Sequence, residues 1–304
     1  MNVPYTNSKF LIISVLFSVL FMNCSNEEKL SDINKIKNKI IERLNKCEGD
    51  FAIAFKDLQD GRSILINENE VFHAASTMKT PVMIEVFNQI DQGKLNLNDS
   101  IIISNQFKSI VDGSAYSMDL GDDSDDSIYR EIGLKMSIYE LLYQMITVSS
   151  NLATNILIEK VGAENVQKTM LDWQAKNIKV LRGVEDTKAF ENGLNNTTTA
   201  LDLLKIFEGL DQAERISKNS HSQIIEILKK QKFREIIPAK LPRDVKVAHK
   251  TGSINGVQHD SGIVYLPNGK KYVLILLSKN LKNTEEGVKT LSEVSKIIYD
   301  IYEN

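Results

Sequence analysis

Apolar residues recur along the chain at two spacings, and these divide it into helices and strands. Ile33, Ile36, Ile40 and Leu44 fall three or four apart with Lys and Asn between them, which predicts an amphipathic helix. Residues 51–57, opening Phe51-Ala52-Ile53-Ala54-Phe55, read as a strand. Asp60-Gly61 is a hairpin turn signal, and Ile64-Leu65-Ile66 returns as the partner strand. The far end mirrors this pattern. Residues 263–266 and 272–277 read as strands joined by Pro267-Asn268-Gly269-Lys270. Thr284 is the expected N-cap of a final helix bearing Val288, Leu291, Val294, Ile298 and Ile301. Together the two ends predict one antiparallel sheet with two amphipathic helices over one face.

The middle of the chain keeps the helical spacing. Residues 77–91, 137–147, 151–161, 164–172, 198–209 and 219–231 each show apolar positions three and four apart. The expectation is an α/β (α+β) fold in which residues 24–72 and 233–304 form a discontinuous α/β domain. An all-helical domain, residues 73–232, is inserted into it, and the cleft between the two is the natural place for a site. There is no internal repeat. The polar stretch Gly121-Asp122-Asp123-Ser124-Asp125-Asp126-Ser127 lacks the alternating ligands, central Gly and distal Glu of a calcium loop, so it reads as a solvated loop.

Composition narrows the function classes. With 42% hydrophobic and 25% charged residues, and only 5 Pro, the chain is neither disordered nor a low-complexity scaffold. A net charge of −3 supplies no basic field for nucleic acid. Four scattered His and two Cys form no run with metal-ligand spacing, and no metal or cofactor is expected.

The first residues stand apart. Phe10 to Met22 is apolar except for Ser14 and Ser18, too short to span a bilayer, which needs roughly 20 residues, but suited to a signal-peptide core. The run ends at Cys24, followed by Ser25-Asn26-Glu27-Glu28. This resembles a bacterial lipoprotein signal, which implies removal of residues 1–23, a lipid anchor on Cys24, and export to the periplasm or outer membrane. A plain signal peptide cleaved nearby, with Cys24 incidental, is the other reading. If Cys24 carries lipid, Cys47 has no partner and the exported protein rests on its core.

Three short segments carry chemistry. In Ser76-Thr77-Met78-Lys79, residues three apart share a helix face, so the lysine amine can reach the serine hydroxyl and act as its base. Backbone N–H groups at the helix start are free to hold an oxyanion. Ser149-Ser150-Asn151 lies at a junction of two helices; a second hydroxyl there can pass a proton to a leaving nitrogen, and the Asn can orient an amide. His249-Lys250-Thr251-Gly252-Ser253 follows the apolar Val245 and Val247. On an edge strand, Lys250 and Thr251 would attract a carboxylate, while Gly252 would let a ligand approach the backbone. Taken singly, each has an ordinary reading: an N-cap serine with a surface lysine, a capped helix start, and a strand end. His73, His249 and His259 read as packing or hydrogen-bonding residues, and Trp173 and the methionines as core.

In this order the three segments resemble the S-x-x-K, S-D-N and K-T-G set of class A β-lactamases and penicillin-binding proteins. The resemblance extends from Phe51 through Asp60-Gly61 and Asn67 to Phe72-His73-Ala74-Ala75-Ser76. It continues in Asn195-Asn196-Thr197-Thr198-Thr199 and from Ile237-Pro238 to the third segment. It implies a β-lactamase/transpeptidase-like fold and a serine hydrolase, a monomer, opening the β-lactam amide through an acyl-enzyme. Ser76 would be the nucleophile, Lys79 its activating partner and Ser149 the proton shuttle. Asn151 would hold the substrate amide, Lys250 and Thr251 its carboxylate, and the N–H groups of Ser76 and Ser253 the oxyanion. A penicillin-binding relative acting on cell-wall peptides, or another amide or ester hydrolase of the same fold, is the alternative.

Two departures from the family pattern matter. Ser150 stands where the family has Asp, and the stretch between the first two motifs is long, with its surplus around residues 110–130. The glutamate that activates the hydrolytic water in class A enzymes lies in an active-site loop, here about residues 181–199. Glu191 fits the local E-x-x-L-N pattern, whereas Glu185 fits the spacing from Arg182 and from Thr197-Thr198-Thr199. Spacing favours Glu185, with Glu191, or neither, as the alternatives.

Overall fold

A computed structural model describes residues 33–303; the predicted signal segment and Cys24 lie outside the described residues. Helix α1 (residues 33–44) precedes β1 (Asp50–Asp57) and β2 (Ser63–Ile66). Three further strands, β3 (Lys246–Ile254), β4 (Val257–Tyr265) and β5 (Lys271–Lys279), precede α9 (Thr284–Tyr299). The strands form one antiparallel sheet in the order β2-β1-β5-β4-β3, so β5 pairs with β1 across the ends of the chain. The register runs Asp50 opposite Lys279 to Asp57 opposite Tyr272.

Both faces of this sheet are covered, which explains why its central strands are almost continuously apolar. Side chains alternate between two cores with the strand period of two. Phe51, Ile53 and Phe55, with Tyr272, Leu274 and Leu276, pack against Ile40 and Leu44 of α1 and Leu291, Val294 and Ile298 of α9. Arg43 of α1 ties these helices together through Glu286 and Glu293 of α9. Ala52, Ala54, Val273, Ile275 and Leu277 point the other way, into the core shared with the inserted helices. The cap of α9 differs from expectation by one residue: the Asn283 side chain accepts from Glu286 N at 3.0 Å, and Thr284 is the first helical residue. An Asn carbonyl serves as well as a Thr hydroxyl at a cap.

Between the two halves of the sheet lie α2 (Lys79–Asp91), α3 (Ile138–Thr147), α4 (Asn151–Val161) and α5 (Ala163–Asp172). After them come the short α6 (Thr187–Glu191), then α7 (Ala200–Gln212) and α8 (Lys218–Leu228). Helix α2 is buried from Lys79 through Phe87, because α3, α4, α5 and α8 all pack on it. The enclosed stretch is mostly apolar, its buried Glu85 is bonded to Gln89 and Thr169, and it carries its one lysine inside with it. The chain from 100 to 137 adds two small ribbons, Ser100–Ile102 with Lys135–Ser137 and Phe107–Lys108 with Ala115–Tyr116. A third ribbon pairs Phe72–His73 with Thr197–Thr198, so the end of the 181–199 loop is hydrogen-bonded to the strand that delivers Ser76.

Candidate active site

Ser76 sits in a single 3₁₀ turn, Ala75–Met78, at the head of α2. The turn is reached through Ala75 at φ +44°, a left-handed conformation that is costly for a residue with a Cβ and must be held by its surroundings. The fastenings are local: Ala75 N donates to His73 Nδ1 at 3.0 Å, and Thr77 Oγ1 donates to Ala74 O at 2.6 Å. Strand β3 presses on the same turn. A Cβ at Gly252 would stand 3.2 Å from Ala75 Cβ, Ser76 N and Thr77 Cγ2. The missing side chain at Gly252 therefore lets the strand pack against the turn that carries Ser76.

Lys79 has no exposed surface. Its amine donates to Ser149 O at 2.6 Å, Asn151 Oδ1 at 2.9 Å and Ser149 Oγ at 3.2 Å. Among the described residues its hydrogen-bond partners lie in the second motif, not on Ser76, so the two motifs are bonded to each other before any substrate arrives. Burial pushes the amine down to about 7, against the pull of the Asp123 and Glu185 carboxylates.

Ser149 joins α3 to α4 at φ +60°, and Ser150 caps α4 by accepting from Ala153 N at 3.3 Å. Lys250 approaches from β3. It too has no exposed surface, and its amine donates to Ser149 Oγ at 3.0 Å and to Thr251 O at 2.9 Å. Lys250 is thus an interior group and not the surface lysine of an ordinary strand end, held well below the ordinary lysine value by burial and by the neighbouring Lys79. One hydroxyl lies between two buried amines. Ser76, Ser149, Thr251 and Ser253 line one cleft of about 370 Å³, together with Ser124, Phe233 and Gln258. Gln258 Nε2 donates to Ser253 Oγ at 2.7 Å, fixing that hydroxyl at the cleft edge.

The loop glutamates separate cleanly. Glu185, at φ +61°, accepts from Asn151 Nδ2 at 2.9 Å through Oε1 and from Asp119 N at 3.0 Å through Oε2. Glu191 is exposed at the end of α6. Glu185 is placed by its neighbour: Asn155 of α4 accepts from Val184 N at 2.6 Å and donates to Val184 O at 3.0 Å, clamping the peptide before it. The loop base is closed by Arg182, which donates to Gly183 O and Leu194 O at 2.9 Å each.

Sequence reasoning missed Asn155, Gln258 and, most of all, Asp123. The 121–127 stretch was expected to be solvated, yet Asp123 is half-buried and receives Asn151 N at 2.8 and 2.9 Å and Leu152 N at 3.0 Å. The histidines are structural. His249 Nδ1 lies 2.8 Å from Asp260 Oδ1 behind the sheet edge, and His259 lies 2.9 Å from His73 O, its burial pushing it down to about 4.

Known proteins match this chain along most of their length. The chain is 24% identical over 311 residues to Beta-lactamase VEB-1 of Pseudomonas aeruginosa, covering 97% of each. A solved mutant of PBP-A, an acyl-enzyme complex with penicillin G, superposes with a TM-score of 0.76 at 26% identity, over 89% of this chain and 97% of that one. A β-lactamase structure from Chitinophaga pinensis gives a TM-score of 0.77 at 24% identity, over 88% of this chain and 99% of that one. The model of the β-lactamase enzyme family matches residues 34–302, from α1 to the last turn and through every motif of the cleft, and the chain belongs to that family.

Proposed function

We propose that the protein is a class A-type serine hydrolase that opens the β-lactam amide through an acyl-enzyme on Ser76. The observation that carries this is the buried Lys79, brought down to about 7 at the head of the same helix as Ser76 and bonded to Ser149. A neutral amine near pH 7 is a base, and a lysine at its ordinary value is not.

In this reading the residues of the cleft divide the steps between them. Lys79 takes the Ser76 proton as Oγ attacks the lactam carbonyl, and the N–H groups of Ser76 and Ser253 hold the oxyanion. The C–N bond then breaks, and the proton passes from Lys79 through the Ser149 hydroxyl to the departing nitrogen. Ser149 can relay because its oxygen accepts from both amines while its own hydrogen is left to be passed on. Lys250 and Thr251 receive the substrate carboxylate, whose charge favours the protonated form of the buried Lys250. Asn151 holds the substrate amide. Glu185 takes a proton from a water as that water attacks the ester carbonyl; the bond from the carbonyl carbon to Ser76 Oγ then breaks, and the proton held by Glu185 passes on to Oγ, restoring the free serine and carboxylate.

A penicillin-binding role shares the acylation half of this scheme, and the likeness to PBP-A gives it a place as the second reading. The two differ in whether the adduct is hydrolysed.

Residues 1–23 are proposed as a signal, and Cys24 as the lipidated first residue of an exported, membrane-attached protein. Stable anchoring then needs at least two acyl chains. In cell fractionation Cys24→Ser moves the protein from the membrane to the soluble fraction or blocks processing; unchanged membrane association rejects the anchor.

The enzyme reading is tested by intact mass with a penicillin and turnover of a chromogenic cephalosporin. Ser76→Ala, folded as wild type by circular dichroism, loses covalent labelling by several orders of magnitude in rate. Persistent labelling in that variant places the nucleophile elsewhere.

Glu185→Gln keeps the side-chain shape but removes the base, so an acyl-enzyme accumulates on Ser76, while Glu191→Gln turns over within about threefold of wild type. Normal hydrolysis by Glu185→Gln removes it from the mechanism. A stable adduct on the wild-type protein instead supports the penicillin-binding reading.

A further inference from the structure

The second motif lacks an acidic residue in sequence and has one in space. Family members with Ser-Asp-Asn carry a carboxylate at the middle position of the motif; this chain has Ser150 there, as the N-cap of α4. The Asp123 carboxylate comes instead from the segment between the ribbon ending at Tyr116 and the 3₁₀ turn Ser127–Glu131. It receives the backbone N–H groups of Asn151 and Leu152, the Ser150 hydroxyl at 3.3 Å and the Tyr129 hydroxyl at 3.1 Å. The N–H groups that open a helix have no partner within it, and a carboxylate there is favoured by both hydrogen bonding and the helix dipole.

We propose that Asp123 is a positioning residue of the active site, supplying from the inserted segment the carboxylate that the second motif has lost. Its effect reaches the chemistry through Asn151. The backbone N–H of Asn151 is bonded to Asp123, while its side-chain oxygen accepts from Lys79 and its side-chain nitrogen donates to Glu185. Four residues before Asp123, the Asp119 N–H donates to the other oxygen of Glu185. Ser124, the residue after it, lines the cleft beside Ser76. One stretch of chain therefore braces the base of each half-reaction and forms part of the cleft wall.

The geometry makes the two carboxylate positions mutually exclusive. A carboxylate placed at residue 150 would stand where the Ser150 hydroxyl now meets Asp123, and two like charges at that distance repel. Ser150→Asp and Asp123→Asn therefore do not act independently. The kinetic part of this inference rests on the hydrolase reading; the stability part does not.

The test is a double-mutant cycle on the full chain, wild type, Ser150→Asp, Asp123→Asn and the double variant, read by thermal melting and by the rate of penicillin labelling. Ser150→Asp is expected to lower the melting temperature by several degrees in the wild-type background and to raise it in the Asp123→Asn background. Asp123→Asn alone slows labelling about tenfold or more, and adding Ser150→Asp recovers most of that loss. The pH profile supplies a readout that a purely structural role would not move. Burial lowers Lys79, and the Asp123 and then the Glu185 carboxylates hold a proton on it against that; neutralising Asp123 shifts the acid limb of labelling to lower pH. Equal effects of Ser150→Asp in both backgrounds, or unchanged labelling and acid limb in Asp123→Asn, overturn the proposal. If the wild type does not label at all, the hydrolase reading fails, and the melting cycle alone decides whether Asp123 braces the helix.

Discussion

Two lysine side chains without exposed surface share the hydroxyl of Ser149, and the rest of the molecule is arranged so that this is tolerable. Burying a charged amine costs several kcal/mol unless it is paired or gives up its proton. Lys79 meets that cost partly with the Ser149 and Asn151 oxygens and partly by a lowered proton affinity. Lys250 has Thr251 O and Ser149 Oγ, and the repulsion from Lys79 moves it in the same direction. The outcome that a stability argument alone would avoid is the one a proton-transfer site requires.

The fold supplies the enclosure. Helix α2 is buried from Lys79 through Phe87, which dries Lys79, and the sheet edge at β3 is pressed onto the turn of Ser76 through a residue with no Cβ. The two motif-bearing helices and β3 come from well-separated parts of the chain. Their meeting depends on β5 pairing with β1, which joins the chain ends and leaves the helical insert packed on one face. Ala75, Ser149 and Glu185 all take positive φ without being glycine. Each lies beside or within the reacting set, where packing and hydrogen bonds hold conformations that a free chain would leave.

Much of this was legible beforehand. The alternation in Phe51 to Phe55 and the three-and-four spacing of Ile33 to Leu44 reported their elements because local burial patterns are local properties. Ser76, Lys79, Ser149 and Lys250 were legible as spaced residue types, but not as a bonded group. That Lys79 would turn to Ser149 and Asn151, and that Lys250 would be interior, are consequences of how α2 and β3 are enclosed. Asp123 was illegible for a related reason. Its acidic, polar surroundings look like any solvated loop, and its purpose exists only once Tyr129 and the head of α4 come beside it. Glu185 and Glu191 differ little as sequence. The Asn155 clamp on Val184 separates them, and no periodicity reports a side chain bonding to a distant peptide.

The central claim is that burial lowers Lys79 far enough to leave a large share of it unprotonated, and so a base, near pH 7. The most direct measurement is an NMR titration of the Lys79 ε-carbon in the free protein, its signal assigned by its loss in Lys79→Arg. A midpoint of about 7 is expected from its burial. A midpoint near the ordinary lysine value of about 10.4 would mean that the amine stays protonated at neutral pH and cannot accept the Ser76 proton.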